Sequence, residues 1–389
     1  MSKFTIGVPR ERKPGEGRVG MTPDGVRYLL KLFPEDLSIK IESGAGSLAG
    51  FGDDDYLASG AVIVFDQKNL YTFTDLVVKV KEPTPEEYPY LKLIRGKTLF
   101  TYLHLAGVDP RLTQVLLEEE ITGVAYEGVQ VEDAHRQKVF PLLVPMSKIA
   151  GRVAVEQAVA MFPYKAGLGN LHFVMLGAGT VGQAAVRKAL QLGSCFISVF
   201  EPDPKRIQSF SDEFRVYLGG RVHIHPLPDL RKKIGRNVRA QANIIISGVM
   251  LPGGKAAPKV LSHGMLRRLT KGTHIMDVAI DQGGSTAWSQ VTKPGDTYED
   301  RGIVFSCVPN IPATVPHEAT LALTEATLQY ISLFAGYALA HGELGVEKLL
   351  KDRGDLRAGL QTWEGKLTNQ AVAEKHRLTK FFVSLDALF

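Results

Sequence analysis

HFVMLGAGTVG (172–182) is the stretch on which the fold turns. An apolar run, Phe173 to Leu176, reads as a buried strand, and it stops at a glycine. Gly177, Gly179 and Gly182 then follow in G-x-G-x-x-G spacing, opening an amphipathic helix through Ala184, Val186, Ala189 and Leu190. The three glycines do different things. Gly177 makes the tight turn, Gly179 admits a pyrophosphate to the backbone, and Gly182 lets helix pack on strand. The amides at the helix start are placed to hold phosphate. The next apolar run, FISVF (196–200), ends in Glu201, 24 residues beyond Gly177. A carboxylate there accepts from both ribose hydroxyls of an adenosine and repels a 2′-phosphate, which favours NAD over NADP. Arg206 works the other way, since a nearby guanidinium can accommodate that phosphate.

The pattern extends in both directions from the glycine turn. Downstream, RVHIHP (221–226), NIIIS (243–247), HIMDVAI (274–280) and GIVFSC (302–307) continue the strand series. Upstream, TIGV (5–8), SIKIE (38–42), AVIVF (61–65), DLVVKVK (75–81), TLFTYLHL (98–105) and GVAYE (124–128) form a first series. Helical stretches alternate with them; Thr22 and Pro23 make a cap and first-turn pair, and Arg111 to Glu119 is a further helix. Ser147 reads as the cap of a long helix bearing Ile149, Ala150, Val153, Ala154 and Ala158 at helical spacing. A second long helix, Glu318 to Ala340, follows Pro316, and the tail from Glu343 reads as polar and helical. The expected fold is α/β, with two Rossmann-like doubly wound parallel sheets joined by long helices. Residues 1–140 and 318–389 would form a discontinuous substrate domain and 141–317 the NAD-binding domain.

Composition narrows the function. The 389 residues exceed what one hydrophobic core usually serves. Hydrophobic residues at 44% and charged residues at 22% describe an ordinary globular protein. The net charge of +5 suits a small anionic ligand, whereas nucleic-acid binding would need a denser basic tract interleaved with aromatics. The basic stretch Arg231, Lys232, Lys233, Arg236, Arg239 reads as the solvated face of a helix. Cys195 and Cys307 are far apart and lack metal spacing, so neither a disulfide framework nor a metal site is expected and a reducing, cytoplasmic setting is. MSKFTIGVPRERK lacks the pattern of a signal peptide, and Leu321 to Ala340 carries too many polar residues for a membrane span.

In open parallel sheets chemistry collects beyond the carboxyl ends of the strands. Four candidates fall there. Alternation in Val77-Val78-Lys79-Val80-Lys81 puts Lys79 and Lys81 on one face, where an ammonium can hold a carboxylate. His104 interrupts an apolar run at its end, and imidazole is the natural proton carrier near neutral pH. Asp281 precedes a glycine pair, Gly283-Gly284, at the end of a strand of the second series. Arg18 lies in the glycine-rich loop after the first strand, and a guanidinium matches a carboxylate through two parallel bonds. Each alone has an ordinary structural explanation: a strand-end lysine, a core histidine, a turn-capping aspartate, a surface arginine. Their shared position at strand ends is the argument for function.

At these segments the chain resembles the alanine dehydrogenase family, whose architecture is shared with the NAD-binding subunit of proton-pumping transhydrogenase. The resemblance runs from about residue 4 to 335 through IGVPRE, RVGMTP, ESGAGS, DLVVKVKEP, LFTYLHLAG, PMSKIAGR, LGAGTVG, DVAIDQGG and SCVPNIPATVP with ALTEAT. It implies reversible NAD-dependent oxidation of L-alanine to pyruvate and ammonia, with the substrate between two domains. Arg18 and Lys81 would bind the substrate carboxylate, His104 would be the general acid/base, and Asp281 a second catalytic group. Ser147, Gly177, Gly179, Thr180, Val181, Gly182, Glu201, Arg206, Val249, Met250, Val278, Asn310 and Ile311 would line the NAD site. The resemblance also implies a homohexamer. The chain departs from the family in four places: PYKAGLGN (163–170) replaces a longer glycine-rich loop, Glu201 stands where aspartate is usual, Leu227 where a serine is common, and HEATLALTEAT (317–327) is more acidic than usual. Alternatives are another amino-acid or opine-type dehydrogenase, a transhydrogenase-like NAD-binding subunit, and a catalytically silent nucleotide-binding scaffold.

Overall fold

The computed structural model describes residues 3–132, 138–162, 171–193, 195–233, 242–249 and 256–389. The chain divides into two compact units, Met1–Pro145 with Val315–Phe389, and Met146–Thr314. Along the chain the strands are β1 (Phe4–Val8), β2 (Leu37–Glu42), β3 (Val62–Val64), β4 (Leu76–Val78), β5 (Thr98–Thr101) and β6 (Thr122–Ala125). A small hairpin follows, β7 (Val131–Glu132) and β8 (Lys138–Val139). The second unit carries β9 (Leu171–Leu176), β10 (Cys195–Glu201), β11 (Val222–Pro226), β12 (Ala242–Ser247), β13 (His274–Asp277), β14 (Tyr298–Asp300) and β15 (Ile303–Ser306). β16 (Leu360–Trp363) and β17 (Lys366–Leu367) return to the first unit.

Both sheets have the same internal order. In the first it is β17-β16-β6-β5-β4-β1-β2-β3, and in the second β11-β10-β9-β12-β13-β15-β14. Six strands of each, β3-β2-β1-β4-β5-β6 and β11-β10-β9-β12-β13-β15, are parallel and doubly wound, with the order reversing between β1 and β4 and between β9 and β12. Parallel strands covered on both faces are mostly apolar, and β5, β6 and β9 are buried at every residue. One core gathers Leu99, Leu103, Leu112 and Leu116 with Leu367 and Val372 from the tail. The other gathers Val174, Leu176, Ile245, Ile275 and Phe305.

Three expectations are corrected. Ser147 is no cap: the helix begins at Val144 and runs to Met161, because Pro145 already has the backbone angle of a first turn. The tail is not wholly helical, since β16 pairs antiparallel with β6 and β17 with β16. β4 ends at Val78, so its alternation does not carry through to Lys81. Beyond that point the Glu11 carboxylate takes the amides of Val80 and Lys81 at 2.7 and 3.2 Å. The Thr22 cap is present, its hydroxyl accepting from Gly25 at 3.1 Å ahead of Pro23–Leu32. The other long helix spans Pro316–His341. Of the basic stretch, Arg231 and Lys232 lie on the short helix Leu230–Lys233 and are exposed; Arg236 and Arg239 lie outside the described residues.

Candidate active site

In the first unit the strand-end residues gather around a residue that sequence reasoning passes over, Tyr102. Its ring is 3% exposed, and its hydroxyl donates to Leu142 O at 2.5 Å. The Lys81 ammonium lies 5.9 Å from the ring centroid. The His104 ring stacks on it at 5.6 Å with 26° between the planes. Tyr102 also couples electrostatically to Arg18. Arg18 is 2% exposed and donates through Nε and Nη2 to the two oxygens of Glu16, at 2.7 and 2.6 Å. That fork pairing orients the guanidinium plane. The only sign of Tyr102 in the sequence is its place between Thr101 and Leu103, in a run that reads as apolar.

Lys79 and Lys81 do not share a function. Lys79 is fully buried, with its ammonium 2.8 Å from Glu87 and 3.4 Å from Glu11. The two carboxylates keep it charged against the cost of burial. Burial outweighs the pull of Lys79 on Glu11 and pushes that carboxyl up to about 7. Lys81 is half-buried.

His104 closes the group at the end of β5. Its backbone is left-handed, φ 45°. The Glu127 carboxylate holds it there, accepting from His104 N at 2.6 Å and Leu103 N at 3.2 Å. The imidazole is 41% exposed, with Nδ1 3.5 Å from Glu82 Oε2.

The second unit carries the glycine turn. Gly177 has φ +97°, a conformation side chains resist. A Cβ on Gly182 would fall 2.0 Å from Gly177 O, so the helix Thr180–Gln191 approaches the turn only because glycine is there. No side chain among the described residues caps that helix, which leaves its N-terminus suited to phosphate. A Cβ on Gly179 would meet only Arg206 Nη1, at 4.0 Å, so the turn is open where a pyrophosphate would lie. Val181 is buried, and Val249 flanks the turn, its Cγ2 3.7 Å from a Cβ built on Gly177. Ser147 is half-buried in the first turn of its helix. That helix packs on the glycine-turn helix at Gly151, where a Cβ would fall 2.1 Å from Val181 O.

Glu201 is 2% exposed; Oε2 accepts from Ala178 N at 2.7 Å and Oε1 from Asp203 N at 3.0 Å. Each oxygen has a second lone pair, so the carboxylate can still accept from ribose hydroxyls. Arg206 is half-exposed, with Nε 3.8 Å from Asp203. A cavity of about 400 Å³ opens beside Pro202, lined by Leu227, Pro228, Val260 and Met265, with Arg231 and Lys259 at its polar side. Its size and apolar walls fit a nucleobase. These features together fit a dinucleotide.

Asp281 follows β13 on the short turn Val278–Gln282, and its Oδ2 accepts from Asn310 N at 3.2 Å. Asn310 is left-handed, φ 56°, and Ile311 and Val278 beside it are buried. The turn hangs on Asp277, also missed in the sequence. Asp277 accepts from Ala279 N at 3.1 Å, Ser285 N at 2.7 Å, Ser285 Oγ at 3.0 Å and Ser289 Oγ at 2.5 Å. Met250 and the segment 163–170 lie outside the described residues. Among the described residues no cluster of His, Cys, Asp and Glu could hold a metal ion.

Residues 7–150 match the family model for the alanine dehydrogenase/PNT N-terminal domain, and 156–370 match the C-terminal domain. This chain belongs to the alanine dehydrogenase/PNT family. Alanine dehydrogenase 2 of Staphylococcus aureus (strain USA300) is 38% identical over 383 residues, 95% of each chain. Among solved structures, an L-alanine dehydrogenase is 33% identical with a TM-score of 0.81, over 96% of this chain and 99% of that one. A transhydrogenase from Sinorhizobium meliloti is 18% identical with a TM-score of 0.75, over 94% and 99%, a likeness of fold. The two α/β units with parallel-dominated sheets match the fold of that L-alanine dehydrogenase. No helix among the described residues is long and apolar enough to cross a membrane.

Proposed function

We propose that this protein is an NAD-dependent alanine dehydrogenase, converting L-alanine reversibly to pyruvate and ammonia. The observation that carries the reading is the meeting of an ammonium and an imidazole at Tyr102, which also couples electrostatically to Arg18, in a chain 38% identical to an alanine dehydrogenase over its length. The first unit is then the substrate domain and the second the NAD-binding domain.

Arg18 and Lys81 bind the substrate carboxylate; Glu16 orients the Arg18 fork and the Tyr102 face steadies the Lys81 ammonium. NAD held at the glycine turn of the second unit would supply the acceptor for the α-hydrogen, taken as hydride. The oxidised amino acid adds water and loses ammonia, and His104 takes and returns the protons of those steps. Asp281 assists with the water and the departing amine. Gly177 to Gly182 would hold the pyrophosphate, Glu201 would accept from the adenosine ribose, and Ser147, Arg206, Val249, Val278, Asn310 and Ile311 would complete the cofactor's surroundings. The buried Glu201 carboxylate supports NAD over NADP. A cytoplasmic homohexamer belongs to the same proposal, supported by the family resemblance and by the low cysteine content.

The test is oxidation of L-alanine by the purified protein, followed at the nicotinamide absorbance with NAD and NADP side by side and a panel of other amino acids. Turnover with L-alanine and NAD, at a kcat/KM well above that of the other pairs, is the expected result. Turnover with a different amino acid, or an amine with a 2-oxo acid, would replace the reading by a related dehydrogenase.

A further inference from the structure

Glu82 follows Lys81 directly, and the proposed chemistry makes no use of it. It is 7% exposed. Its Oε1 receives the Lys13 ammonium at 2.5 Å. Its Oε2 is buried and has no hydrogen-bond partner among the described residues, while His104 Nδ1 lies 3.5 Å from it. A buried carboxylate oxygen without a donor is costly, and a closing of about half an ångström would bring that nitrogen to hydrogen-bond distance. The other restraints on His104 act elsewhere: Glu127 holds its backbone amide and Tyr102 covers one ring face.

We propose that Glu82 is a positioning residue for His104, its Oε2 accepting the Nδ1–H so that the lone pair on Nε2 is the one that takes and returns the proton. The inference rests on His104 as the proton carrier of the proposed reaction. A neutral imidazole has one N–H, and an anionic acceptor beside Nδ1 assigns it there. Lys13 matters because Glu82 must remain an acceptor and not take the proton itself. Burial alone would raise its pKa, but His104 and Lys13 bring it down to about 2. Lys13 and Glu82 thus form a fixed charged pair behind the ring, in the manner of carboxylates that orient catalytic imidazoles elsewhere.

The test uses the full chain with nitrogen-15-labelled histidine and the variants E82M, E82D and H104Q. H104Q identifies the His104 ring signals. In the wild type the neutral ring should carry its proton on Nδ1; in E82M it should revert to the Nε2–H form that free histidine favours. E82M should lower kcat about 10- to 100-fold, part of the usual worth of a placed acid/base group. KM for L-alanine and Kd for NADH should stay within about twofold. E82D, keeping the charge at shorter reach, should recover part of kcat. On the H104Q background E82M should cost nothing further. An Nε2–H tautomer in the wild type, an unchanged tautomer in E82M, or the same loss with and without His104 would overturn the proposal. The wild-type spectrum decides even if E82M does not fold. It is also independent of the substrate, so a chain inactive toward L-alanine would end the functional reading and leave the Glu82 assignment to the tautomer alone.

Discussion

Lys79 and Lys81 are separated by one residue and have different fates. Both are legible in the sequence as cations at the end of a strand. What cannot be read there is that Glu11 and Glu87, from other parts of the chain, bury Lys79 in an ion cluster while Lys81 meets the face of Tyr102. Burial follows from which carboxylates come near, and those are 68 and 8 residues away from Lys79. The cluster has a pH signature. Glu11 is raised from 4.5 to about 7 by burial, so the folded protein binds its proton more tightly than the unfolded chain does. Its contribution to stability is full below about pH 4.5 and is lost as pH rises through about 7. Urea unfolding across that window should therefore show a falling component of stability that E11Q removes; an unchanged slope in the variant would refute the shift. For His104, replacement by alanine should cut turnover by about 10²- to 10⁴-fold while NADH binding, measured by fluorescence, stays nearly normal. Full activity in H104A would remove the imidazole from the mechanism.

At the scale of elements, the inner strands are legible because a parallel sheet covered on both faces demands unbroken apolar runs. The edges are not. β14, β16 and β17 are short and antiparallel, and their side chains follow no run that periodicity would pick out. The turn after β9 is legible down to single glycines, since its geometry is local. At Gly182 an added methyl would meet Gly177 O at 2.0 Å, so G182A should shift the helix from the turn and weaken NADH binding by at least about tenfold, as read by titration. The turn carrying Asp281 depends on a longer reach. Asp277 satisfies two amides and two hydroxyls from residues 279 to 289, and Ser285 Oγ passes the network on to Ser247. D277A strands several of these donors and should cost on the order of 3 kcal/mol of stability, together with a drop in turnover as Asp281 loses its support. A variant with normal melting temperature and activity would show that the network is dispensable.

At the scale of the molecule, the segment beyond Gly342 joins the first unit. β16 pairs with β6, Gly359 O accepts from Ala125 N at 2.7 Å, and Leu367, Val372 and Leu378 enter the core with Leu112 and Leu116. Removing residues 343–389 should expose that apolar surface, leaving a chain that aggregates or melts far below the intact protein; a soluble, equally stable truncation would contradict this packing. Sequence alone determined the α/β class, the doubly wound sheets, the glycine turn and the identity of the charged residues at strand ends. Those rest on interactions within about one strand, turn and helix, which leave a periodic or motif-like trace. Tertiary structure alone decided that Lys81 and His104 meet at Tyr102 with Arg18 in its field, that Glu16, Glu82 and Glu127 serve as their supports, and that Lys79 is buried. Those choices come from side chains brought together across the first sheet from separate crossover loops, and a pairing between distant residues leaves no period in the sequence that contains it.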